Sequence, residues 1–379
     1  MLTRDELTHE PTRYKMLINI TEILPQTLEN TSEDSKEVKD NSNPMSYAGI
    51  IIVPVILIAV VGNALTICSF IRDKGLHKTC NVYILNLAIA DLLIGAVTMP
   101  IYLTYTFGNN VWIFGYHFCK VFLLFDMATV EITAILMILI SYDRLSLLRH
   151  WSTYYKMHSP QKAYIKCGIA WIFVFVLNGP ATIGWDIWTG NSTDPNDCEA
   201  QFYDNVVYIS IMTTVQFVIP LTVLIIIHIL IVYEIRKLIQ TREQLISTHS
   251  GSIGSSDSVV CLELKPDSVM TKLHRRSTDI HKENTKKRNG TKAAKSLAIL
   301  TIAFIVLWAP YGIIIVFQSI CPTCICVILI ETCTWVLWFK SALNPFLYAY
   351  NSNRFRENFK YFLCCRRRPG YRANYSFNS

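Results

Sequence analysis

Residues 51–71 have the sequence IIVPVILIAVVGNALTICSFI, and no Asp, Glu, Lys or Arg occurs between Asp40 and Arg72. A helix needs about 20 mostly apolar residues to cross the hydrocarbon core of a bilayer. The stretch therefore predicts a membrane-spanning helix. Residues 1–46 before it are polar and acidic and lack the apolar core of a signal peptide. We therefore expect the first span to act as its own insertion signal.

Six further stretches meet the same requirement of length and low polarity. Charged residues make up only 17% of the chain and hydrophobic residues 51%, whereas soluble proteins are about 25% charged. The predicted fold class is an all-α membrane protein, a bundle of seven transmembrane helices followed by a short amphipathic helix. The seven predicted spans cover about residues 47–71, 81–105, 117–148, 163–185, 205–233, 295–320 and 327–350.

The distribution of Lys and Arg predicts which ends of the spans face the cytoplasm, because cytoplasmic loops are enriched in these residues. The segment from Arg236 to Lys295 holds 13 Lys and Arg against six Asp and Glu. The loops after spans one and three and the tail after span seven are also basic. Lys120 is the only Lys or Arg in the short loops on the other side. With seven spans, the amino terminus is then extracellular.

This topology divides the chain into an extracellular tail (1–46), the seven-span bundle (47–350), and an amphipathic helix with a cytoplasmic tail (351–379). The third cytoplasmic loop, about 237–292, is rich in Ser, Thr, Lys and Arg and poor in aromatic residues, which predicts disorder. Three Asn-X-Ser/Thr sequons fall on the extracellular side and are predicted glycosylation sites: Asn19, Asn30 and Asn191.

Four ionisable residues lie well inside the predicted spans: Asp91, Asp126, Glu131 and Lys340. A charge in the hydrocarbon core is costly, so such residues face the bundle interior and mark functional sites. Asp126 follows Cys119 by seven residues, which places it about two helical turns from the outer end of span three. That depth suits a pocket open to the outside.

A buried carboxylate needs a cation, and for Asp126 the cation is either an internal Lys or Arg or the ammonium group of a ligand. A ligand is the sharper hypothesis because outer basic residues are few. Aromatic side chains are suited to enclosing an ammonium group, although each of them alone is also explained by core packing or by an interfacial belt. The candidate cage residues are Tyr102, Phe217, Trp308, Tyr311, Trp335 and Trp338.

The 12 cysteines are scattered and do not form a small disulfide scaffold. Cys119 and Cys198 both lie on the outer side, where a disulfide would tie the second outer loop to span three as a lid over the pocket. Cys321 and Cys324 form a possible second bridge, and no zinc site is expected there because no His accompanies them. Cys364 and Cys365 follow the amphipathic stretch and are either palmitoylation sites or free thiols. No metal or cofactor is expected.

Several short motifs occur in order on the predicted spans, and together they resemble the rhodopsin-like (class A) G-protein-coupled receptors. The motifs are Gly62-Asn63, Leu85-Asn86-Leu87-Ala88-Ile89-Ala90-Asp91, Cys119, Ser141-Tyr142-Asp143-Arg144, Trp171, Pro220, Trp308-Ala309-Pro310-Tyr311 and Asn344-Pro345-Phe346-Leu347-Tyr348. The resemblance implies a plasma-membrane receptor with a heterotrimeric G protein, arrestin and membrane lipid as partners, and no nucleic acid. It also implies roles in G-protein coupling and activation for Asp143, Arg144, Asn344, Pro345 and Tyr348.

Within that family, Asp126 stands where amine receptors keep the carboxylate that binds the ligand's ammonium group. The chain is most similar to the histamine receptors of the third and fourth subtypes. The resemblance rests on Trp308-Ala309-Pro310-Tyr311, Trp335-Val336-Leu337-Trp338, Val176-Leu177-Asn178-Gly179-Pro180, Phe217-Val218-Ile219-Pro220, Pro100-Ile101-Tyr102 and Asp197-Cys198-Glu199. It implies histamine or a related amine as agonist and an inhibitory-type G protein. A muscarinic-like or other amine receptor, or a divergent receptor with a non-amine ligand, is the alternative.

Two departures from this pattern concern the pocket. The related receptors carry a glutamate four residues before the span-five proline, where this chain has Gln216, and Glu131 stands in span three instead. We hypothesise that the second acid has moved across the pocket to Glu131, on a stripe with Met127; the equally weighted alternative is that Glu131 bonds a buried polar neighbour. Met127 and Gly312 also replace polar or aromatic pocket residues.

Lys340 stands where the family has a small polar residue that lines a sodium site together with Asp91, Thr133, Ser341 and Asn344. We therefore expect an ion pair between Lys340 and Asp91 and no effect of sodium on agonist affinity. Activation residues depart from the family pattern as well, which suggests divergent ligand preference, coupling or basal activity. These positions are Leu145, His228, Gly290 and Leu307.

Three other functional classes were weighed against a receptor. A transporter or channel predicts symmetry between two halves of the chain, and no repeat is visible. A photopigment is suggested by Lys340, but the resemblance places the retinal lysine at the position of Trp338. An intramembrane enzyme is disfavoured because the spans contain neither a His-Glu-x-x-His nor a Gly-x-Ser-x-Gly pattern.

Overall fold

The computed structural model describes residues 44–108, 111–190, 196–251, 298–318, 320–321 and 324–364, and the secondary structure within these residues is helical. Eight main helices follow one another. We number them α1 (Pro44–Arg72), α2 (Thr79–Phe107), α3 (Tyr116–Arg149), α4 (Pro160–Thr189), α5 (Val206–Thr213, Thr214–Val218 and Ile219–Gly251), α6 (Ala298–Gln318), α7 (Val327–Asn351) and α8 (Asn353–Cys364). A short helix, Trp151–Met157, lies between α3 and α4 and is called the loop helix.

Six of these helices, α1 to α6, combine the length and the apolar composition needed to cross a membrane in the described part of the chain. The seventh, α7, has 25 residues and is long enough, but it carries Glu331 and Lys340. Lys340 is only 2% exposed, so its charge faces the bundle and not the lipid. The architecture is an all-α membrane bundle followed by a short helix, as the sequence predicts.

The outside of the bundle is apolar. Large hydrophobic side chains such as Ile51, Ile187 and Val207 are at least 70% exposed. In a soluble protein a continuous surface of this kind would be an interaction site or an aggregation hazard. Here it is the surface that contacts lipid, and the polar side chains are therefore collected inside.

Polar contacts inside the bundle join helices that are distant in sequence. The Asn63 side chain donates to the carbonyl oxygen of Ala59 at 2.8 Å and to that of Ser341 at 2.9 Å, which ties α1 to α7. A Cβ atom at Gly62 would lie 2.7 Å from Cγ of Pro345. The absence of a side chain at residue 62 is therefore what allows these two helices to approach so closely.

Two of the helices contain a wide π-helical turn, at Ile94–Thr98 in α2 and at Thr214–Val218 in α5. Each turn lies just before a proline, Pro100 or Pro220. A π turn inserts one extra residue and is common beside functional sites. In α5 the turn contains Gln216 and Phe217, and both of these side chains reach the interior cavity described below.

Two disulfides lie at the same end of the bundle, which we call the disulfide end. Cys119 at the start of α3 is bonded to Cys198 in the loop before α5, with Cα atoms 5.6 Å apart, and Cys321 is bonded to Cys324. The buried Trp112 packs beside Cys119, and its backbone N–H donates to the carbonyl oxygen of Asn196 at 2.8 Å. The loop between α4 and α5 is thus fastened to α3 by a covalent bond and by a backbone contact.

At the other end of the bundle, which we call the Arg144 end, α8 is fixed to the turn after α1. Asp73 accepts from Arg354 at 3.0 Å and from Asn358 at 3.3 Å. The Phe355 ring of α8 is buried against Tyr348 of α7, with ring centroids 6.1 Å apart. Cys364 ends α8 and is exposed, whereas Cys365 and the three sequon residues Asn19, Asn30 and Asn191 lie outside the described residues. The loop predicted to be disordered at about 237–292 is helical as far as Gly251, because α5 continues to that residue, and the prediction is corrected for this part. Residues 252–292 lie outside the described residues.

Candidate functional site

A cavity with about 960 Å³ of empty space lies between α3, α4, α5, α6 and α7, next to the Cys119–Cys198 disulfide loop. This volume includes the open mouth of the cavity, so the enclosed part is smaller. The cavity is lined by Asp126, Met127, Val130, Glu131, Asn178, Phe202, Tyr203, Tyr208, Ile209, Met212, Thr213, Gln216, Phe217, Trp308, Tyr311, Gly312, Ile315, Thr334, Leu337 and Trp338. Its wall is thus mainly aromatic and aliphatic, with a small number of polar groups.

Most of the residues predicted from the sequence to form a pocket lie on this wall. They are Asp126, Met127, Glu131, Gln216, Phe217, Trp308, Tyr311 and Trp338. The other two, Tyr102 and Trp335, pack behind it against Trp338. Their ring centroids lie 5.1 Å from that of Trp338 in each case, in edge-to-face geometry. These two rings support the wall and do not line the cavity.

Sequence reasoning missed the residues that close the cavity from the disulfide end. Phe202 and Tyr203 lie in a single helical turn, Gln201–Asp204, that begins three residues after Cys198. Phe202 packs against Trp185 and Tyr208, with ring centroids 6.0 and 5.2 Å away. Because the disulfide holds Cys198 against α3, the next few residues must cross the mouth of the cavity. The short distance in sequence from Cys198 to Phe202 and Tyr203 was therefore the feature that could have identified these residues.

Asp126 places a carboxylate on the wall of the cavity. Its Oδ1 atom is buried and has no hydrogen-bond partner among the described residues. Tyr311 lies close enough to interact electrostatically with this carboxylate. A buried carboxylate oxygen without a donor is costly unless a cation or donor reaches it. The position is therefore suited to a positively charged group inside the cavity.

Glu131 lies on the same helix and reaches the cavity through a chain of amide side chains. Gln216 of α5 donates to Oδ1 of Asn178 at 2.8 Å, and Asn178 of α4 donates to Oε2 of Glu131 at 2.6 Å. Glu131 is also one of the residues that line the cavity. Glu131 therefore bonds a buried polar neighbour and lines the cavity at once, so that the two predicted roles do not exclude each other.

An aromatic cluster forms the wall between the cavity and the deeper part of the bundle. The Phe217 and Trp308 ring centroids lie 4.7 Å apart, and those of Phe304 and Trp308 lie 5.4 Å apart. The Phe217 ring occupies the space where a side chain at residue 312 would stand, because a Cβ built on Gly312 overlaps it. Gly312 is thus explained by its contact with Phe217.

A second group of polar side chains lies deeper in the bundle. The carboxylate of Asp91, which is fully buried, accepts from Ser341 at 2.7 Å and from Asn344 at 2.6 Å. Lys340 donates to the hydroxyl of Thr133, and its ammonium lies 4.9 Å from the centroid of the Phe304 ring. The five residues predicted to share an interior polar site are therefore neighbours.

The ion pair that the sequence suggested between Lys340 and Asp91 is not present within 4 Å in the described part of the chain, and this expectation is corrected. Both oxygens of Asp91 are occupied by neutral donors, Ser341 and Asn344. The Lys340 ammonium is directed instead at Thr133. The charges interact through space and not by direct contact.

At the Arg144 end, Asp143 and Arg144 are neighbours in the chain and form an ion pair at 3.6 Å. The loop helix adds Tyr154, whose hydroxyl donates to Oδ1 of Asp143 at 2.7 Å. His158 stacks on Tyr154 with ring centroids 4.6 Å apart and lies 3.6 Å from the same carboxylate. Burial lowers the pKa of His158, which disfavours the charged form of the ring in this contact.

The remaining residues considered for coupling and activation lie in α3, α5 and α7. Asn344 bonds to Asp91, Pro345 packs on Gly62, and Tyr348 is buried beside Phe355. Two of the unusual residues are Leu145 of α3 and His228 of α5. Leu145 packs against Ile227, Ile231 and Ile235 of α5, and the Nδ1 atom of His228 has no partner among the described residues.

The sequence was compared with known proteins. It matches the profile of the family described as "7 transmembrane receptor (rhodopsin family)" over residues 62–348. It is 28% identical to the histamine H4 receptor of Mus musculus over 367 residues, which covers 84% of this chain and 93% of that receptor. It is 28% identical to the octopamine receptor beta-2R of Chilo suppressalis over 321 residues, with coverage of 82% and 78%. For 5-hydroxytryptamine receptor 2B of Rattus norvegicus the identity is 24%, with coverage of 89% and 75%.

The family match covers most of the bundle, from Gly62 in α1 to Tyr348 in α7. It agrees with the helical architecture and with the motifs on each span, and it sets aside the transporter and enzyme hypotheses. The chain belongs to the rhodopsin family of seven-transmembrane receptors and is a receptor and not an enzyme.

Proposed function

We propose that this receptor binds a small biogenic amine, with histamine as the leading candidate, and signals through a heterotrimeric G protein of the inhibitory type. The observation that carries the proposal is the buried, unpartnered Oδ1 atom of Asp126 in an otherwise aromatic cavity. The ammonium group of a ligand would donate a hydrogen bond to this oxygen, and aromatic faces around the ammonium would add cation–π attraction. Relatives named as histamine, octopamine and 5-hydroxytryptamine receptors support an amine.

A second polar group in the cavity favours histamine over a simple amine. Glu131 follows Asp126 by five residues on α3, so the two residues are separated by about 7.5 Å along the helix axis. Histamine carries an ammonium group at one end and an imidazole N–H at the other. The ammonium group would bind Asp126, and the imidazole would donate to the carboxylate of Glu131. The chain through Asn178 and Gln216 holds the Glu131 side chain in place for this contact.

A ligand in the cavity would act by stabilising one conformation of the bundle better than another. Its contacts on α3, α5, α6 and α7 would draw these helices inward around Trp308. Pro310 interrupts the hydrogen bonds of α6, so the half of α6 that precedes it, from Ala298, is free to swing at the Arg144 end. The opened cleft would expose Arg144 to the G protein, and later to arrestin.

The orientation of the chain is part of the proposal. Disulfides persist in oxidising compartments, so the disulfide end would face the outside of the plasma membrane and the Arg144 end the cytoplasm. The amino terminus is then extracellular, with glycans at Asn19, Asn30 and Asn191. Cys364 and Cys365, at the end of the amphipathic α8, would carry palmitate and hold this helix on the lipid surface.

A panel of amines in a G-protein activation assay tests the proposal. Cells that express the receptor are exposed to histamine, octopamine, serotonin, acetylcholine and a neutral control compound. We expect histamine to activate at the lowest concentration, and Asp126→Asn to raise the half-maximal concentration at least about 100-fold at equal surface expression, because a charge-assisted bond is lost. If another amine activates at a lower concentration than histamine, the proposal of an amine receptor stands and histamine is rejected as the ligand. Activation that survives Asp126→Asn unchanged would reject the amine site.

A further inference from the structure

Lys340 is enclosed by the bundle and is 2% exposed. Its ammonium donates to the Thr133 hydroxyl and faces the Phe304 ring, 4.9 Å from the ring centroid. Neither of these groups carries a full negative charge. An ammonium in so dry an environment is costly unless opposite charges act on it, so the compensating charges must lie further away.

The charges that act on Lys340 are two carboxylates in different places. One is Asp91 in the deep polar group, and the other is Asp126 on the cavity wall. Asp91 has both oxygens occupied by Ser341 and Asn344 and does not contact the ammonium directly. Asp126 has an oxygen with no partner among the described residues. Lys340 therefore interacts electrostatically with two carboxylates and, among the described residues, forms an ion pair within 4 Å with neither.

The balance of charge follows from this arrangement. When both carboxylates are ionised, they and the one ammonium leave one negative charge in excess, and one added positive charge makes the group neutral. A low-dielectric interior penalises any remaining net charge. The deep carboxylate thus needs no dissolved cation, and the cavity carboxylate has room for one positive charge and no more.

We propose that Lys340 is a tethered counter-ion that serves both Asp91 and Asp126. Beside Asp91 it takes the place that a dissolved monovalent cation would otherwise occupy. Beside Asp126 it opposes the ligand's ammonium group and so lowers the affinity for amines. The first half of this inference is independent of the proposed function, and the second half rests on it.

The first half is tested without any ligand, by the thermal stability of the purified full-length receptor in detergent. Sodium chloride is compared with N-methylglucamine chloride at constant ionic strength. We expect the same melting temperature in both salts for the wild type. In Lys340→Ser the shortened side chain leaves space among the oxygens of Asp91, Thr133 and Ser341, which suit a hard cation, and sodium should raise the melting temperature by about 3 °C or more.

Two variants serve as matched controls. Lys340→Met removes the charge but keeps the bulk, so it should show no sodium-specific rise. Asp91→Asn combined with Lys340→Ser removes the carboxylate that would hold the ion and should abolish the rise. A sodium-specific rise in the wild type would overturn the counter-ion inference, and this arm needs no variant to fold. A sodium-independent melting temperature in Lys340→Ser would also overturn it.

The second half is tested by the affinity of histamine for Lys340→Met, in a buffer without sodium. Loss of the opposing charge should tighten binding about tenfold. Unchanged affinity in this variant, with binding retained in the wild type, would refute the role at Asp126 and leave the sodium result standing. If no amine binds the wild type, the proposed function fails, and the second half fails with it. The melting temperatures still decide the first half.

Discussion

The Nδ2 atom of Asn178 lies 2.6 Å from Oε2 of Glu131, and this short bond ties α4 to α3 on the wall of the cavity. The same side chain accepts from Gln216 of α5 through its other end, at 2.8 Å. An amide has both a donor and an acceptor, so Asn178 satisfies an acid on one side and an amide on the other. Glu131 is therefore compatible with Gln216, whereas two acids in these places would compete for one donor.

Replacing the acid tests its contact with the ligand. Glu131→Gln keeps the shape of the side chain and its bond to Asn178 but removes the negative charge. We expect histamine potency to fall about tenfold, because a charge-assisted bond to the imidazole becomes a neutral one. Potency is measured by G-protein activation at matched surface expression. Phenethylamine, which lacks a second N–H donor, is the control ligand and should be affected little. Unchanged histamine potency would rule out a ligand contact at Glu131.

Moving the acid across the cavity tests the hydrogen-bond chain itself. Gln216→Glu alone removes the donor to Asn178 and puts a second carboxylate beside it, so it should lower stability by about 1–3 kcal/mol. The double variant Glu131→Gln, Gln216→Glu restores a single acid and reverses the direction of the two hydrogen bonds made by Asn178. We expect its melting temperature to return toward that of the wild type. In a double-mutant cycle, strictly additive effects would show that the two side chains are not coupled.

The contact between Gly312 and Phe217 predicts a steric effect. Gly312→Ala places a methyl group where the Phe217 ring lies, and overpacking of this kind costs about 1–3 kcal/mol. The melting temperature should therefore fall. Gly168→Ala in α4 is the matched control, because a Cβ there meets no atom within 4 Å, and alanine favours a helix by up to about 1 kcal/mol. Equal melting temperatures for the two variants would contradict this account of Gly312.

The bond between Tyr154 and Asp143 predicts an effect on basal signalling. Tyr154→Phe keeps the buried ring but removes the hydroxyl that donates to Asp143 at 2.7 Å. A hydrogen bond to a charged group is worth about 1.5–3 kcal/mol. If that bond stabilises the inactive arrangement of Arg144, ligand-free G-protein activation should rise several-fold. Tyr142→Phe removes a hydroxyl from a side chain that is 49% exposed and serves as the control. A basal signal equal to that of the wild type would show that this bond has no role in activation.

Much of the fold was predictable because the rules for crossing a bilayer act on composition alone. Uncharged stretches gave the spans, and the structure extends the predicted 47–71 and 163–185 by a few residues at their ends, to Pro44–Arg72 and Pro160–Thr189. In these cases the helices continue past the hydrocarbon core. Helical spacing also predicted that Asp126 lies about two helical turns from Cys119, towards the interior of the bundle. The two acids and four of the predicted aromatic residues line one cavity.

The rest of the site depended on contacts between segments that are distant in sequence. Nothing in α7 alone shows that Lys340 reaches Thr133 in place of Asp91, because the choice depends on which donors already occupy the carboxylate. Asn178 was visible only as part of a family motif, and its bridging role requires α3, α4 and α5 to be in place. Tyr102 and Trp335 were predicted as cage residues because they are aromatic, and residue type does not show that a ring lies behind its neighbour.

The wide turn at Thr214–Val218 affects how this receptor can be aligned with its relatives. Its extra residue rotates the part of α5 before it by about 100° relative to an uninterrupted helix. Positions counted back from Pro220 are therefore structurally equivalent only between proteins that share the turn. In a relative without it, the residues equivalent in angle to Met212 and Thr213, which line the cavity here, lie one place along in sequence. A gap at this point is therefore needed before ligand contacts are transferred from one receptor to another.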